Sequence, residues 1–314
     1  MTQARRVILL VLAAIGWGSA ATASKYALRG LGPLTLLAVE LAVAVALLWT
    51  VIGLRGLRGG WAHAGPRRIY ALLGFFEPGL AYAGLNFGLA YTSAVNGALL
   101  DGLESCFVVL LAVLVLRERL SRRAAIAALI SAAGVILVST AHATLRAGFG
   151  DFLVIAGVAA AAIYVILAGR QPEDTDSLLM TGWQFAFGLA FTLPLLAWRW
   201  GIGAEAIPVH VGWSEWLAAG IGGGIGFAGS FLLYNSVVTQ ISATVSGMAL
   251  SLIPLFGLAT AVLVLGEPLA VLQVAGGVLI VAGLVLFALT AEPGAPPGDP
   301  PKLAPTDHGV ESAS

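Results

Sequence analysis

The chain has 314 residues, of which 59% are hydrophobic and only 10% charged, and its formal net charge is zero. An ordinary soluble domain carries about 25% charged residues, so this balance, with a mean hydropathy of +0.95, is that of a membrane protein. Zero net charge gives no sign of nucleic-acid binding, and the single cysteine, Cys106, excludes a disulfide framework or a cysteine metal site within one chain.

Arg5 and Arg6 precede an apolar run that ends in the small-residue patch Ala21-Thr22-Ala23. A signal peptide has that layout too, but the many later apolar runs make this the first membrane span. A helix needs about 20 apolar residues to cross the hydrocarbon core. That ruler gives ten spans, near 7–28, 34–53, 69–91, 93–116, 122–140, 151–169, 178–199, 213–235, 240–265 and 269–290. No soluble domain fits between them, so all chemistry takes place in or beside the bilayer. Lys25, near the end of the first span, reads as a snorkelling side chain. Glu40 lies in the second span. In the third, Glu77 precedes Pro78, whose missing amide hydrogen loosens the helical ladder near mid-span. In the fourth, Asp101 and Glu104 are spaced i, i+3 and share a helix face. The eighth contains GIGGGIGFAGS at 220–230, where Gly222 and Gly226, like Gly220 and Gly224, form a small-xxx-small pair. Static packing and a pliable, bending helix are both open readings of that motif. Residues 291–314, rich in Pro, Gly and Ser, are predicted to form a disordered cytoplasmic tail.

Residues 112–121 read AVLVLRERLS and residues 261–270 read AVLVLGEPLA. The same shift of 149 aligns Asn86 with Asn235, Ser93-Ala94 with Ser242-Ala243, Phe107 with Phe256, Glu118 with Glu267 and Gly134 with Gly283. Similar Ala/Leu/Val-rich helices account for AVLVL but not for the polar matches. The chain therefore reads as two five-helix repeats, 7–140 and 151–290. Five is odd, so the second copy enters the membrane from the opposite side. The expected fold is an all-α polytopic membrane protein, ten transmembrane helices as a 5+5 inverted repeat around a central cavity.

Inversion explains why Arg117, Arg119, Arg122 and Arg123 meet Gly266, Pro268, Val271 and Leu272 in the other copy. Basic residues collect on the cytoplasmic side. With the N-terminus inside, inner segments hold 12 Lys/Arg and outer ones four, Lys25, Arg29, Arg146 and Arg199. Both termini are then cytoplasmic, in what reads as a bacterial inner membrane. Glu118 and Glu267 each sit in the tight turn before the next helix, and Glu267-Pro268 suits an acidic N-cap followed by Pro.

These features together resemble the EamA-type carriers of the drug/metabolite transporter superfamily. The resemblance is carried by Trp17-Gly18-Ser19 with Lys25, by Tyr91-Thr92-Ser93-Ala94, and by Leu252-Ile253-Pro254-Leu255-Phe256. The Glu118 and Glu267 turns and the Gly134 and Gly283 helices complete it, over nearly all of 7–290. It implies a ten-helix bundle, a cavity between the halves and alternating access, for solutes ranging from amino acids and nucleotide sugars to drugs. The chain departs from the pattern twice. Glu40 lies where such carriers commonly have an Arg, and Ser105, beside Glu104, replaces the proline of the fourth helix, whereas Pro254 is present in the ninth.

A charge at mid-bilayer costs at least about 2.5–3.5 kcal/mol, so Glu40, Glu77, Asp101 and Glu104 face a bundle interior or water. Two functional readings follow: the cavity binds the ammonium group of an amine or amino acid, or a carboxylate carries a coupling proton. The third reading is hydrogen bonding between neighbouring helices. Asp101 and Glu104 are the strongest candidates for function and Glu40 the weakest. Trp17, Phe75, Phe76, Tyr82, Asn86, Tyr91, Asn96, Trp183, Gln184, Tyr234 and Asn235 fill out the candidate cavity, while Trp198, Trp200, Trp213 and Trp216 suit an interfacial belt. Pro78 and Pro254 join Gly222 and Gly226 as candidate packing or hinge positions.

No phosphate loop, HExxH or metal-ligand spacing is present, and His63, His142, His210 and His308 all lie in loops or the tail. No cofactor, metal or nucleic acid is expected. The favoured function is a secondary active or facilitative transporter of small organic metabolites, amino acids or related solutes, working in the direction of export as a monomer or homodimer. A multidrug or cation efflux carrier and an intramembrane enzyme using Asp101 with Glu77 are the alternatives.

Overall fold

A computed structural model describes residues 3–56, 67–104, 106–108, 110–111, 122–140, 145–172, 175–237 and 252–288. Among the described residues there are helices and turns and no strand. Lipid offers no partner to a peptide N–H or C=O, so a backbone crossing it satisfies its own polar groups as helix. The helices are α1 (Gln3–Ala27), α2 (Pro33–Leu54), α3 (Arg67–Gly74), α4 (Ala81–Leu89), α5 (Ala94–Asp101), α6 (Arg122–Thr140), α7 (Leu145–Ala168), α8 (Ser177–Gly201), α9 (Trp213–Ile221), α10 (Ser230–Asn235), α11 (Ile253–Leu265) and α12 (Val271–Ala288). Five stretches are long and apolar enough to cross a membrane: Arg5–Ala27, Pro33–Leu54, Gly148–Ala168, Ser177–Gly201 and Trp213–Asn235. Ile253–Leu265 and Val271–Gly283 are apolar but shorter. Glu118, Ser242-Ala243 and the tail 291–314 lie outside the described residues.

Local chemistry sets the helix ends. α2 opens with Pro33 after an extended Gly32, where a missing N–H costs nothing. α8 starts after Asp176, whose carboxylate accepts from the amides of Leu178 and Leu179 at 2.9 and 3.0 Å. The Ser93 hydroxyl accepts from the Asn96 amide at 3.0 Å and so opens α5. α7 begins at Leu145 rather than near 151. Gly150 there lies against α4, so close that a Cβ would stand 2.8 Å from the Gly88 carbonyl oxygen. Close packing prolongs this helix, and hydropathy does not register packing.

Two helical runs are interrupted. Between α3 and α4, within Phe75–Leu80, Glu77 adopts an extended backbone (φ −144°, ψ 121°) ahead of Pro78. Between α9 and α10, Gly222–Gly229 winds as a wider π-helix.

Helices meet where side chains are small, as they do when lipid supplies no hydrophobic drive. A Cβ on Gly18 of α1 would stand 2.7 Å from the Ile253 carbonyl oxygen of α11, and one on Gly134 of α6 would stand 2.6 Å from that of Gly276 in α12. In the glycine motif, Gly222 packs on the Glu40 side chain, Gly223 on its backbone and Gly226 on Ala20, whereas Gly220 has nothing within 4 Å. Of the two small-xxx-small pairs in the sequence, the one containing Gly222 and Gly226 is the packed one. Around this crossing lies an aromatic core: Phe185, Phe227 and Phe231 are wholly buried, and Phe231 stands 5.0 Å from Phe185 and 5.1 Å from Trp17 between ring centres.

Candidate functional site

A cleft with a cavity volume of about 40 Å³ lies among α1, α4, α7, α10 and the Glu77 break. A single water needs about 10–15 Å³ on that measure, so the cleft has room for a few waters at most. Trp17 and Ser24 line it from α1, Tyr82 from α4, Tyr164 from α7, Phe231 and Tyr234 from α10, and Ile253 from α11. Glu77, Asp101 and Glu104 complete the wall. Of the residues singled out in the sequence, Trp17, Glu77, Tyr82, Asp101, Glu104 and Tyr234 thus come together.

The break in the third span positions Glu77. Its extended backbone swings the side chain out of helical register, and the Gln184 amide nitrogen donates to the Glu77 carbonyl at 2.7 Å, satisfying an acceptor that the helix has released. Asp101 ends α5 and Glu104 follows the turn at Gly102, whose missing Cβ admits Pro254 of α11. Pro254 itself occupies the first turn of α11, where proline fits without a kink. The three carboxylates are near enough to act on one another electrostatically. None of them accepts a hydrogen bond from another described side chain or amide. Tyr82 is held by Phe227, 4.1 Å between ring centres, and Trp17 by Phe231 and Tyr234.

Other candidates are bonded elsewhere. Asn86 donates to Glu40 at 3.1 Å, and the Ser24 hydroxyl donates to the same carboxylate at 2.6 Å. Glu40, wholly buried, therefore stitches α1, α2 and α4 together. Asn235 donates to the Thr181 hydroxyl at 2.9 Å and accepts from the Tyr164 hydroxyl at 3.1 Å. Asn96 donates to Asp151 at 3.2 Å and accepts from Gln273 at 2.7 Å. Trp183 lies 5.2 Å from Trp49, under the Arg67 guanidinium. Asn86, Asn96, Asn235, Gln184 and Trp183 do not line the cleft.

Sequence reasoning missed Tyr164, Phe231, Ser24 and Asp151. Asp151 is 1% exposed and accepts from the Thr92 hydroxyl at 2.6 Å. It stands at the start of an apolar run and reads as a boundary residue, but the Thr92–Asn96 spacing of one helical turn was a signal that something polar faces them.

At the Lys25 end of the bundle a cation and an anion hold helix ends, and here two local readings fail. Lys25 does not snorkel. Its ammonium donates to the carbonyls of Leu89 and Thr92, both at 2.6 Å, capping the C-terminus of α4. Glu267 does not cap its own helix. α12 begins at Val271, and the Ala270 amide donates to Gln273 at 2.9 Å in the manner of a capping box. The Glu267 carboxylate instead accepts from the amides of Ala94 and Val95 at 3.1 and 3.0 Å, capping α5. The α4–α5 turn is thereby gripped by a cation from α1 and an anion from the α11–α12 loop. Glu205 does the same for α2, accepting from the Thr35 amide at 2.7 Å with Arg199 3.6 Å away.

Against known proteins, the model of the EamA-like transporter family matches residues 4–140 and again 148–289. The chain belongs to that family. Members are multi-pass integral membrane transporters, and the relatives identify a transporter rather than an enzyme. The chain is 30% identical over 295 residues to the "Probable terminal-alkyne amino-acid exporter" of Streptantibioticus cattleyicolor, covering 91% of this chain and 94% of that one. It is 27% identical over 210 residues to the "Uncharacterized transporter YyaM" of Bacillus subtilis, which covers 63% of this chain and 65% of that protein's length. A solved crystal structure shares the fold at a TM-score of 0.63 with 20% identity, over 92% of this chain and 98% of that one.

Proposed function

We propose that this transporter moves small organic solutes bearing an ammonium group, amino acids or related amines, by alternating access, and that it exports them across the inner membrane. The observation that carries this reading is the cleft: three membrane-depth carboxylates and five aromatic residues line one space between residues of both halves of the chain. Membrane-depth carboxylates are costly unless a ligand, a proton or water meets them. The water-sized core is too small for a metabolite, so loading requires the surrounding helices to part.

The architecture proposed for this motion is the ten-helix 5+5 inverted repeat, 7–140 and 151–290, with both termini cytoplasmic. Three features support it. The family matches the two halves separately. Helix neighbours exchange in register: α1 packs on α11 and on α9–α10, as α7 packs on α5 and on α4, while α2 pairs with α8 and α6 with α12. Both interruptions, Phe75–Leu80 and Gly222–Gly229, coincide under the 149-residue shift, and paired broken helices are where inverted-repeat carriers place their solute. Export is supported by the name of the Streptantibioticus relative, and the arginine distribution supports the orientation.

Counterflow in proteoliposomes tests the reading. Unchanged labelled solute should appear on the far side, and Asp101→Asn or Glu104→Gln should cripple that flux while the protein remains folded; unaltered rates in both variants would dispose of the acidic site. In a Cys106→Ser background, Leu120→Cys and Leu269→Cys should label from opposite faces of the membrane, and labelling from one face would end the inverted repeat. Coupling to protons is the second reading of the same carboxylates and predicts acidification-driven flux.

A further inference from the structure

Taking the carrier reading as given, we propose that the cleft selects a hydrophobic organic monocation, an amine with an aromatic-sized body, over the zwitterionic amino acid of the same shape. Two buried polar side chains on its wall lack partners. Glu77 is 7% exposed and Tyr82 is 9% exposed, both line the cleft, and among the described residues neither the carboxylate nor the hydroxyl makes a hydrogen bond. Their polar atoms face the open space of the cleft, where water or a ligand completes them, and the Trp17 indole N–H on the same wall is buried without a partner among the described residues. Tyr82 cannot turn away, because Phe227 and Phe231 hold its ring at 4.1 and 6.2 Å.

The chemistry of this wall suits one kind of head group. An ammonium presents three donors and no acceptor; the carboxylates of Glu77, Asp101 and Glu104 accept, the Tyr82 hydroxyl accepts or donates, and the Trp17 indole N–H is a single neutral donor beside them. Trp17 and Tyr234 offer ring surface to the apolar body and to the cation. The carboxylate of an amino acid meets the opposite situation. No Lys, Arg or His is among the residues lining the cleft, and the nearest basic side chain of α1, Lys25, spends its donors on Leu89 and Thr92. A substrate carboxylate would enter a poorly hydrated site with no cation to pair it, and an unpaired charge is costly there.

Phenethylamine and phenylalanine differ only by that carboxylate and make the test. With the purified full chain, phenethylamine should raise the thermal unfolding midpoint at a concentration at least ~10-fold lower than phenylalanine does. Tyr82→Phe should weaken the amine several-fold, and Glu77→Gln should weaken it further. Should Glu77→Gln fail to fold, Tyr82→Phe, which removes one hydroxyl, keeps the test decisive. Equal or tighter binding of phenylalanine overturns the inference, as does binding of neither. Counterflow separates it from the carrier reading. Flux of phenylalanine without phenethylamine sinks the selectivity and leaves the carrier standing; amine binding with no flux of either probe keeps the selectivity and sinks the carrier.

Discussion

Two interrupted helices occupy equivalent places in the chain and do different work. Glu77-Pro78 interrupts the first with an extended residue and sends an acid into the cleft. Its counterparts under the 149-residue shift are Gly226-Phe227, in a run that stays helical but widens. There the absent side chains let α1 and α2 approach, and Phe227 packs on Tyr82. The asparagines that follow diverge in the same way: Asn86 bonds a carboxylate, Glu40, and Asn235 bonds two hydroxyls. A scaffold with two similar halves has thus kept its backbone weak points in both and placed the ionisable chemistry in one. The acids of the cleft all come from the first of the two stretches that the family model matches.

The largest expected effect breaks the acidic side. Glu77→Gln should lower counterflow on the order of 100-fold, the scale of losing one buried charge partner of a ligand, while the unfolding midpoint holds; an unchanged rate would make the two interruptions functionally alike. Next, Gly226→Leu should destabilise by about 1–3 kcal/mol through overpacking against Ala20, read as a lowered midpoint in detergent. Gly220→Ala, with no neighbour within 4 Å, serves as its partner experiment and should leave stability within about 0.5 kcal/mol. Lys25→Met should cost about 1–2 kcal/mol by stranding the carbonyls of Leu89 and Thr92. It should also raise labelling of an Ala20→Cys probe by an impermeant thiol reagent from the Lys25 end. The smallest effect is expected at Glu40→Gln. The Asn86 side-chain oxygen is buried without a partner, so a flipped Asn86 can accept from the new amide, and a loss above about 1 kcal/mol would show that the charge itself matters there.

The sequence displayed the acids of the cleft because each carried a local mark: Asp101 and Glu104 by their one-turn spacing, Glu77 by the proline after it. It displayed the glycine crossing for the same reason. It hid the clamps. Lys25 meets carbonyls 64 and 67 residues away, and Glu267 meets amides 173 and 172 residues away, so nothing in either residue's neighbourhood reveals its partner. Local reasoning assigned each to its own helix end or to the lipid interface. Tyr164 escaped because an aromatic in an Ala-rich run looks like packing until α10 is laid against it. Helix ends fixed by caps, such as that of α8 at Asp176, fell within a residue of expectation, whereas α7 ran on where glycine met glycine.

The α4–α5 turn is fastened on one side by an ammonium and on the other by a carboxylate, and those two groups belong to segments some 240 residues apart. Releasing either one alone would strand backbone groups at one side of the turn while the other side stayed held, so the two fastenings back each other up. A corner pinned from both sides keeps its shape through ordinary fluctuations, even where the chain on either side of it is free to shift.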